Sequence, residues 1–173
     1  AMAYGTESIP KVYKIFGPGN QYVTAAKQLV GLRDVAIDMP AGPSEVEVLA
    51  DDSANPVFVA ADLLSQAEHG VDSQAILITT SERLQAAVVE EVERQLAELP
   101  RREIAEKSLA NSKLILVNDM DEAVELTNEY APEHLIVETS DYMEVAERVV
   151  NAGSVFLGSF SPESAGDLSL IHI

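Results

Sequence analysis

Glu133 and His134 stand side by side in Ala131-Pro132-Glu133-His134, between the expected end of a helix and the start of a strand. Imidazole titrates near neutrality and a buried glutamate can be tuned upward, so the couple suits general acid–base work. Adjacent side chains leave the backbone in different directions, yet in a turn both can reach one pocket. The bland alternative is a solvated turn. Gln66 and His69 close another helix in Ser65-Gln66-Ala67-Glu68-His69-Gly70. Three residues apart, they share a helix face. Histidine is a common metal ligand and an amide oxygen a rarer one; the alternative is a histidine at the negative end of the helix dipole. Asp167, in the polar loop Ser161-Pro162-Glu163-Ser164-Ala165-Gly166-Asp167, is either a carboxylate ligand or a surface residue.

Two loops invite ligands of another kind. Gly17-Pro18-Gly19-Asn20 precedes a helix, whose first N–H groups attract phosphate or carboxylate. Its spacing is not the G-x-G-x-x-G dinucleotide fingerprint, so a plain turn stays open. Met39-Pro40-Ala41-Gly42-Pro43-Ser44 is rigid, with two prolines fixing φ and small residues allowing close approach. It reads equally as a hinge.

Composition narrows the chemistry. The 173 residues contain no cysteine, which excludes disulfides, thiolate zinc sites, iron–sulfur clusters and a cysteine nucleophile. A metal must sit on histidine, carboxylate or amide groups. With 11 Lys+Arg against 29 Asp+Glu, the net charge of −18 argues against nucleic acid and anionic membranes as partners. No apolar run is long enough to span a bilayer, and the opening residues, without a basic stretch before an apolar one, are not expected to be a signal peptide. The charge is uneven. Residues 1–33 balance to +3, with Lys11, Lys14, Lys27 and Arg33 against Glu7, and the remainder to −21. Chance surface variation, or a separate unit that meets an anion, would each explain this.

The elements that must position these residues alternate. A helix is expected over 21–30, a short strand over Val35–Asp38 and another over Val46–Ala50. Asn55-Pro56 opens a helix that runs to about His69 and stops at Gly70. Ala75–Thr79 is apolar throughout, the mark of a strand buried on both faces. Ser81 caps a long amphipathic helix through Leu84, Val88, Val92, Leu96 and Leu99, interrupted by Pro100, and a shorter helix follows. Leu114–Val117 reads as a buried strand. Asp119 caps the next helix, Leu135–Val137 is a strand, Asp141 caps a helix to Val150, and Gly153 leads into a strand over Ser154–Leu157. Strands alternating with helices imply βαβ units and a mostly parallel sheet, an α/β fold.

Each motif alone is ambiguous; the set in this order is specific. Ile15-Phe16-Gly17-Pro18-Gly19-Asn20, Asp38-Met39-Pro40-Ala41-Gly42-Pro43-Ser44-Glu45, Ser65 to Gly70, Ala131 to Leu135 and Ser164-Ala165-Gly166-Asp167 together resemble histidinol dehydrogenase. The likeness covers residues 1 to about 167, well under half of a full family chain, so the sequence reads as an internal fragment. The resemblance implies Rossmann-like parts of two interwoven domains, 1–44 from one and 45–167 from the other, with 168–173 a non-native tail. It implies oxidation of L-histidinol through histidinal to L-histidine by two NAD-dependent hydride transfers, with zinc holding the substrate. Gln66, His69 and Asp167 match zinc ligands that also face substrate, Ser44 a substrate contact, Glu133 and His134 the acid–base pair, and Asn20 an NAD contact. It further implies a cytoplasmic homodimer, although an absent N-terminus would hide any transit peptide.

Three departures stand out. The family's fourth zinc ligand, a histidine from the partner subunit, has no match, and His172 lies in the wrong context to supply it. After Asp167 the pattern breaks. Tyr13 stands where the family usually has an acid. The 173 residues are therefore expected to be inactive, or nearly so, by themselves. The rival readings are a non-catalytic small-molecule-binding α/β module on the same scaffold, and a metal-free dehydrogenase acting on another polyol.

Overall fold

In the larger unit every strand but the last is followed by a helix that returns the chain to the same end of the sheet, so neighbouring strands run parallel. The computed structural model of the chain describes residues 1–17, 21–38 and 45–162. The chain divides into two compact units between Pro43 and Ser44.

In the first unit, β1 (Lys14–Ile15) pairs in parallel with β2 (Ala36–Ile37), and α1 (Gln21–Gly31) makes the crossover. The strand expected over 35–38 is present but short. A two-residue strand such as β1 is too brief to show any period in the sequence. Asp38, just past β2, accepts the Gly17 N–H at 2.8 Å and pairs with the Lys27 ammonium, which also donates to the Gly17 carbonyl at 2.8 Å. The hydrogen bond from Lys27, and then that from Gly17, hold the Asp38 carboxyl below its ordinary range.

The second unit holds β3 (Glu45–Ala50), α2 (Pro56–Ala67), β4 (Gln74–Thr79), α3 (Glu82–Leu96), α4 (Arg102–Leu109), β5 (Lys113–Leu116), α5 (Met120–Tyr130), β6 (His134–Glu138), α6 (Tyr142–Arg148) and β7 (Ser154–Leu157). The strand order is β5-β4-β3-β6-β7, parallel throughout. Alternate residues of the central strands serve two helix layers. Val46, Val48, Leu77 and Ile136 pack with Leu63 of α2 and Leu84 of α3. Leu49, Ile76, Ile78 and Val137 pack with Val124 of α5 and Val145 of α6. Each such apolar side chain, once buried, contributes roughly 1.5–3 kcal/mol.

Helix starts follow the expected chemistry at three places. Asn55 accepts from the Val57 N–H at 3.0 Å, Ser81 from Leu84 at 3.1 Å and Asp119 from Glu122 at 2.9 Å. Asp141 does not act as a cap: it makes no side-chain bond to the first turn of α6. That helix also stops at Arg148, because Val149 already has extended backbone. The strand expected to be buried over 114–117 is instead the outer strand β5, with Leu114 and Leu116 36% and 46% exposed. An apolar run marks a strand but does not say which strands flank it.

Candidate active site

The ladder between β3 and β6 begins at Val46 opposite His134. Glu45 stands one residue before that pair, with its main chain facing β6 and its N–H left to a side chain. Two side chains fill that place. The Glu45 N–H donates to Oε2 of Glu133 at 3.3 Å, and Nδ1 of His134 lies 3.2 Å from the Glu45 carbonyl oxygen. Glu133 and His134 are themselves 3.9 Å apart, carboxylate to imidazole, and both are half-buried. The two residues named from the sequence as an acid–base pair are thus held together in space.

The turn that presents them is pinned from several sides. Ala131 takes a left-handed backbone, φ 56°, and its N–H closes α5 on the Thr127 carbonyl at 2.9 Å. The Gly153 N–H donates to Pro132 O at 3.0 Å, and Ser154 to Glu133 O at 2.8 Å. A Cβ at Gly153 would lie 2.6 Å from the Glu133 carbonyl oxygen, so only glycine fits. Phe156 on β7 sits 6.2 Å from the His134 ring in a tilted contact. In the sequence Glu45 is only the end of the Asp38–Glu45 motif, with no role, and nothing there points to Phe156, because a main-chain contact and a cross-strand neighbour leave no motif of their own.

Gln66 and His69 lie at the end of α2, which runs back from the carboxyl edge of the sheet to the amino edge, where Glu45 and His134 begin their strands. Gln66 is fully buried, its Nε2 lies 3.5 Å from Nδ1 of His69, and its Oε1 has no hydrogen-bond partner. A buried amide oxygen without a donor, beside an imidazole, fits a cation that accepts mixed nitrogen and oxygen ligands, as zinc does. Among the described residues no group of three or more His, Asp or Glu converges on such a point. Asp167, Ser44 and Asn20 lie outside the described residues, as does His172. Tyr13 is 96% exposed, so its departure from the family pattern disturbs no packing.

Open α/β sheets usually bind ligands at the carboxyl edge, where the strand order reverses. Here that point, between β3 and β6, is bridged by Asp51. Asp51 takes the N–H and hydroxyl of Ser53 on one oxygen, at 2.8 and 2.5 Å. Its other oxygen takes the N–H and hydroxyl of Ser140, both at 2.9 Å. Burial pulls the Asp51 carboxyl upward, but these donors hold it below its ordinary range. In the first unit, Lys27 is spent on Asp38, so the +3 balance overstates the charge open to an anion. Among the described residues nothing lies within 4 Å of the place where a Gly17 side chain would stand.

Fold and site define a parallel α/β protein carrying a carboxylate–imidazole couple and an amide–imidazole couple at the amino edge of its sheet. A sequence profile of histidinol dehydrogenase matches residues 1–170, and the chain belongs to that family. It is 88% identical over 167 residues to the histidinol dehydrogenase of Bacteroides thetaiotaomicron, covering 96% of this chain and 39% of the relative. The corresponding figures for the histidinol dehydrogenase of Escherichia coli K12 are 59% identity over 169 residues, with 96% and 39% covered. The crystal structure of histidinol dehydrogenase from Elizabethkingia anophelis superposes with a TM-score of 0.91 at 57% identity, covering 96% of this chain and 38% of that one. The chain thus spans about 39% of the length of the curated relatives it matches. No helix among the described residues is long and apolar enough to cross a membrane.

Proposed function

We propose that this chain supplies the acid–base half of an enzyme that oxidises L-histidinol to L-histidine with two NAD+. The observation that carries the reading is the clasp of Glu133 and His134 around Glu45, at the sheet edge where Gln66 and His69 also lie. An alcohol loses its O–H proton as hydride leaves carbon, and His134 takes that proton. The second oxidation needs water added to the aldehyde, and Glu133 takes a proton from that water. NAD, when bound, accepts the hydride in each step. Gln66, His69 and Asp167 would hold zinc, which when bound polarises the substrate oxygen and fixes its orientation. Ser44 completes the substrate contacts and Asn20 meets NAD.

The same reading makes residues 1–44 the end of one nucleotide-binding-like domain and 45–167 the second half of another, in a cytoplasmic homodimer. Because the chain matches only part of its relatives' length, turnover belongs to the longer protein, and the 173 residues alone give little or none. A binding module without catalysis has no use for the Glu133–His134 couple. The test is NADH formation from histidinol by a full-length protein carrying this segment, with zinc content measured alongside. His134→Gln is expected to abolish turnover with zinc retained, and Gln66→Ala to lower both. Turnover indifferent to zinc and to Gln66 would point instead to a metal-free dehydrogenase. Zinc-dependent NADH production by the 173-residue chain itself would overturn the division of labour.

A further inference from the structure

A carbonyl oxygen can only accept a hydrogen bond, so the nitrogen it meets must carry the proton. Nδ1 of His134 lies 3.2 Å from the Glu45 carbonyl. Turning the ring over would put a carbon there and lose the bond, and Phe156 stands against the ring, 6.2 Å away between centroids. On the same residue the N–H points to Oε2 of Glu133. The ladder with β6 starts at Val46 opposite His134, so the Glu45 N–H has no earlier rung to donate to, and its carbonyl oxygen has a second lone pair for the imidazole.

We propose that the main chain of Glu45, not its side chain, is the positioning element of the acid–base pair. Its C=O fixes neutral His134 as the Nδ1–H tautomer, which makes Nε2 the nitrogen that receives the substrate proton, while its N–H seats the Glu133 carboxylate. The second-site contact sets the orientation and basicity of an imidazole just as it does in metal and triad sites. The proposal rests on the preceding reading only in giving Nε2 a substrate proton to take.

The chain has three histidines, so nitrogen-15 labelling of histidine with His134→Gln as the assignment control isolates the His134 signals. At pH 8.5, where imidazole rings are neutral, Nδ1 of His134 is expected to give the protonated signature and Nε2 the unprotonated one. Glu45→Ala keeps its carbonyl and is expected to keep that pattern. Glu133→Ala is expected to speed hydrogen exchange at the Glu45 amide by about tenfold, the loss of one modest hydrogen bond. The reverse tautomer, averaged signals, loss of the pattern in Glu45→Ala, or an unchanged Glu45 amide would each overturn the proposal. None of these readouts needs turnover. A fixed tautomer without histidinol oxidation in the longer protein would sink the proposed function and leave the positioning role standing.

Discussion

Thr127 on α5 donates its hydroxyl to Oε1 of Glu47 on β3 at 2.5 Å, across 80 residues of sequence and inside the core. Glu47 is fully buried, and its other oxygen has no hydrogen-bond partner. Burial pushes the carboxyl up to about 7, only partly opposed by the Thr127 hydroxyl.

This buried acid makes stability depend on pH in a definite direction. Unfolded, the group titrates near 4.5, so between there and 7 the folded chain holds a proton that the unfolded chain has released. The contribution is fully present below pH 4.5, falls as pH rises towards 7 and is gone above it. Glu47→Gln removes the dependence. Urea unfolding at pH 5 and pH 8 should show the variant's advantage over the parent growing by about 3 kcal/mol. A gap that does not change with pH would contradict a neutral buried Glu47.

Ala131 offers a second test. An alanine at φ 56° carries a strain that glycine avoids. Ala131→Gly is expected to raise the unfolding free energy by about 1 kcal/mol in spite of the looser unfolded chain. A destabilised variant would mean that the left-handed turn costs little here.

Gly153→Ala should act in the opposite sense. The new methyl meets the Glu133 carbonyl oxygen at 2.6 Å, and backbone rather than a flexible side chain must move. A loss of about 1–3 kcal/mol is expected, with the His134 nitrogen signals displaced because Glu133 and His134 share the turn. Unchanged signals at full stability would show that the turn tolerates a shift.

Asp38→Asn addresses the first unit. The carboxylate anchors Lys27 and the Gly17 N–H, and its depressed pKa means that this support is present above the ordinary value of 3.8 and lost as pH falls below it. The variant is expected to exchange its Gly17 amide faster than the parent at pH 7. Equal exchange would mean that the loop is held by something else.

How much of this was legible in sequence depended on range. Caps at Asn55, Ser81 and Asp119 are local, and they were readable. So were the apolar strands and the two couples Gln66–His69 and Glu133–His134, whose members lie within a turn of each other. Glu47 was not: in Glu45-Val46-Glu47-Val48 the two acids alternate alike, and only the packing of α5 decides that Glu47 is buried. Leu114 and Leu116 failed for the same reason, since strand order, not hydrophobicity, makes β5 an edge. The part of Glu45 is carried by its amide and carbonyl, which every residue but proline possesses, so no residue type could announce it.

The amino-edge placement of both couples, with Asp51 fastening the opposite edge to Ser140, makes the sheet two-ended. Loop exchanges after β4 would alter shape at one end while Glu133, His134, Gln66 and His69 stayed where β3, β6 and α2 put them. Such a scaffold can be diversified at that end, by mutation in nature or by grafting at the bench, without disturbing how Glu133 and His134 are set against Glu45.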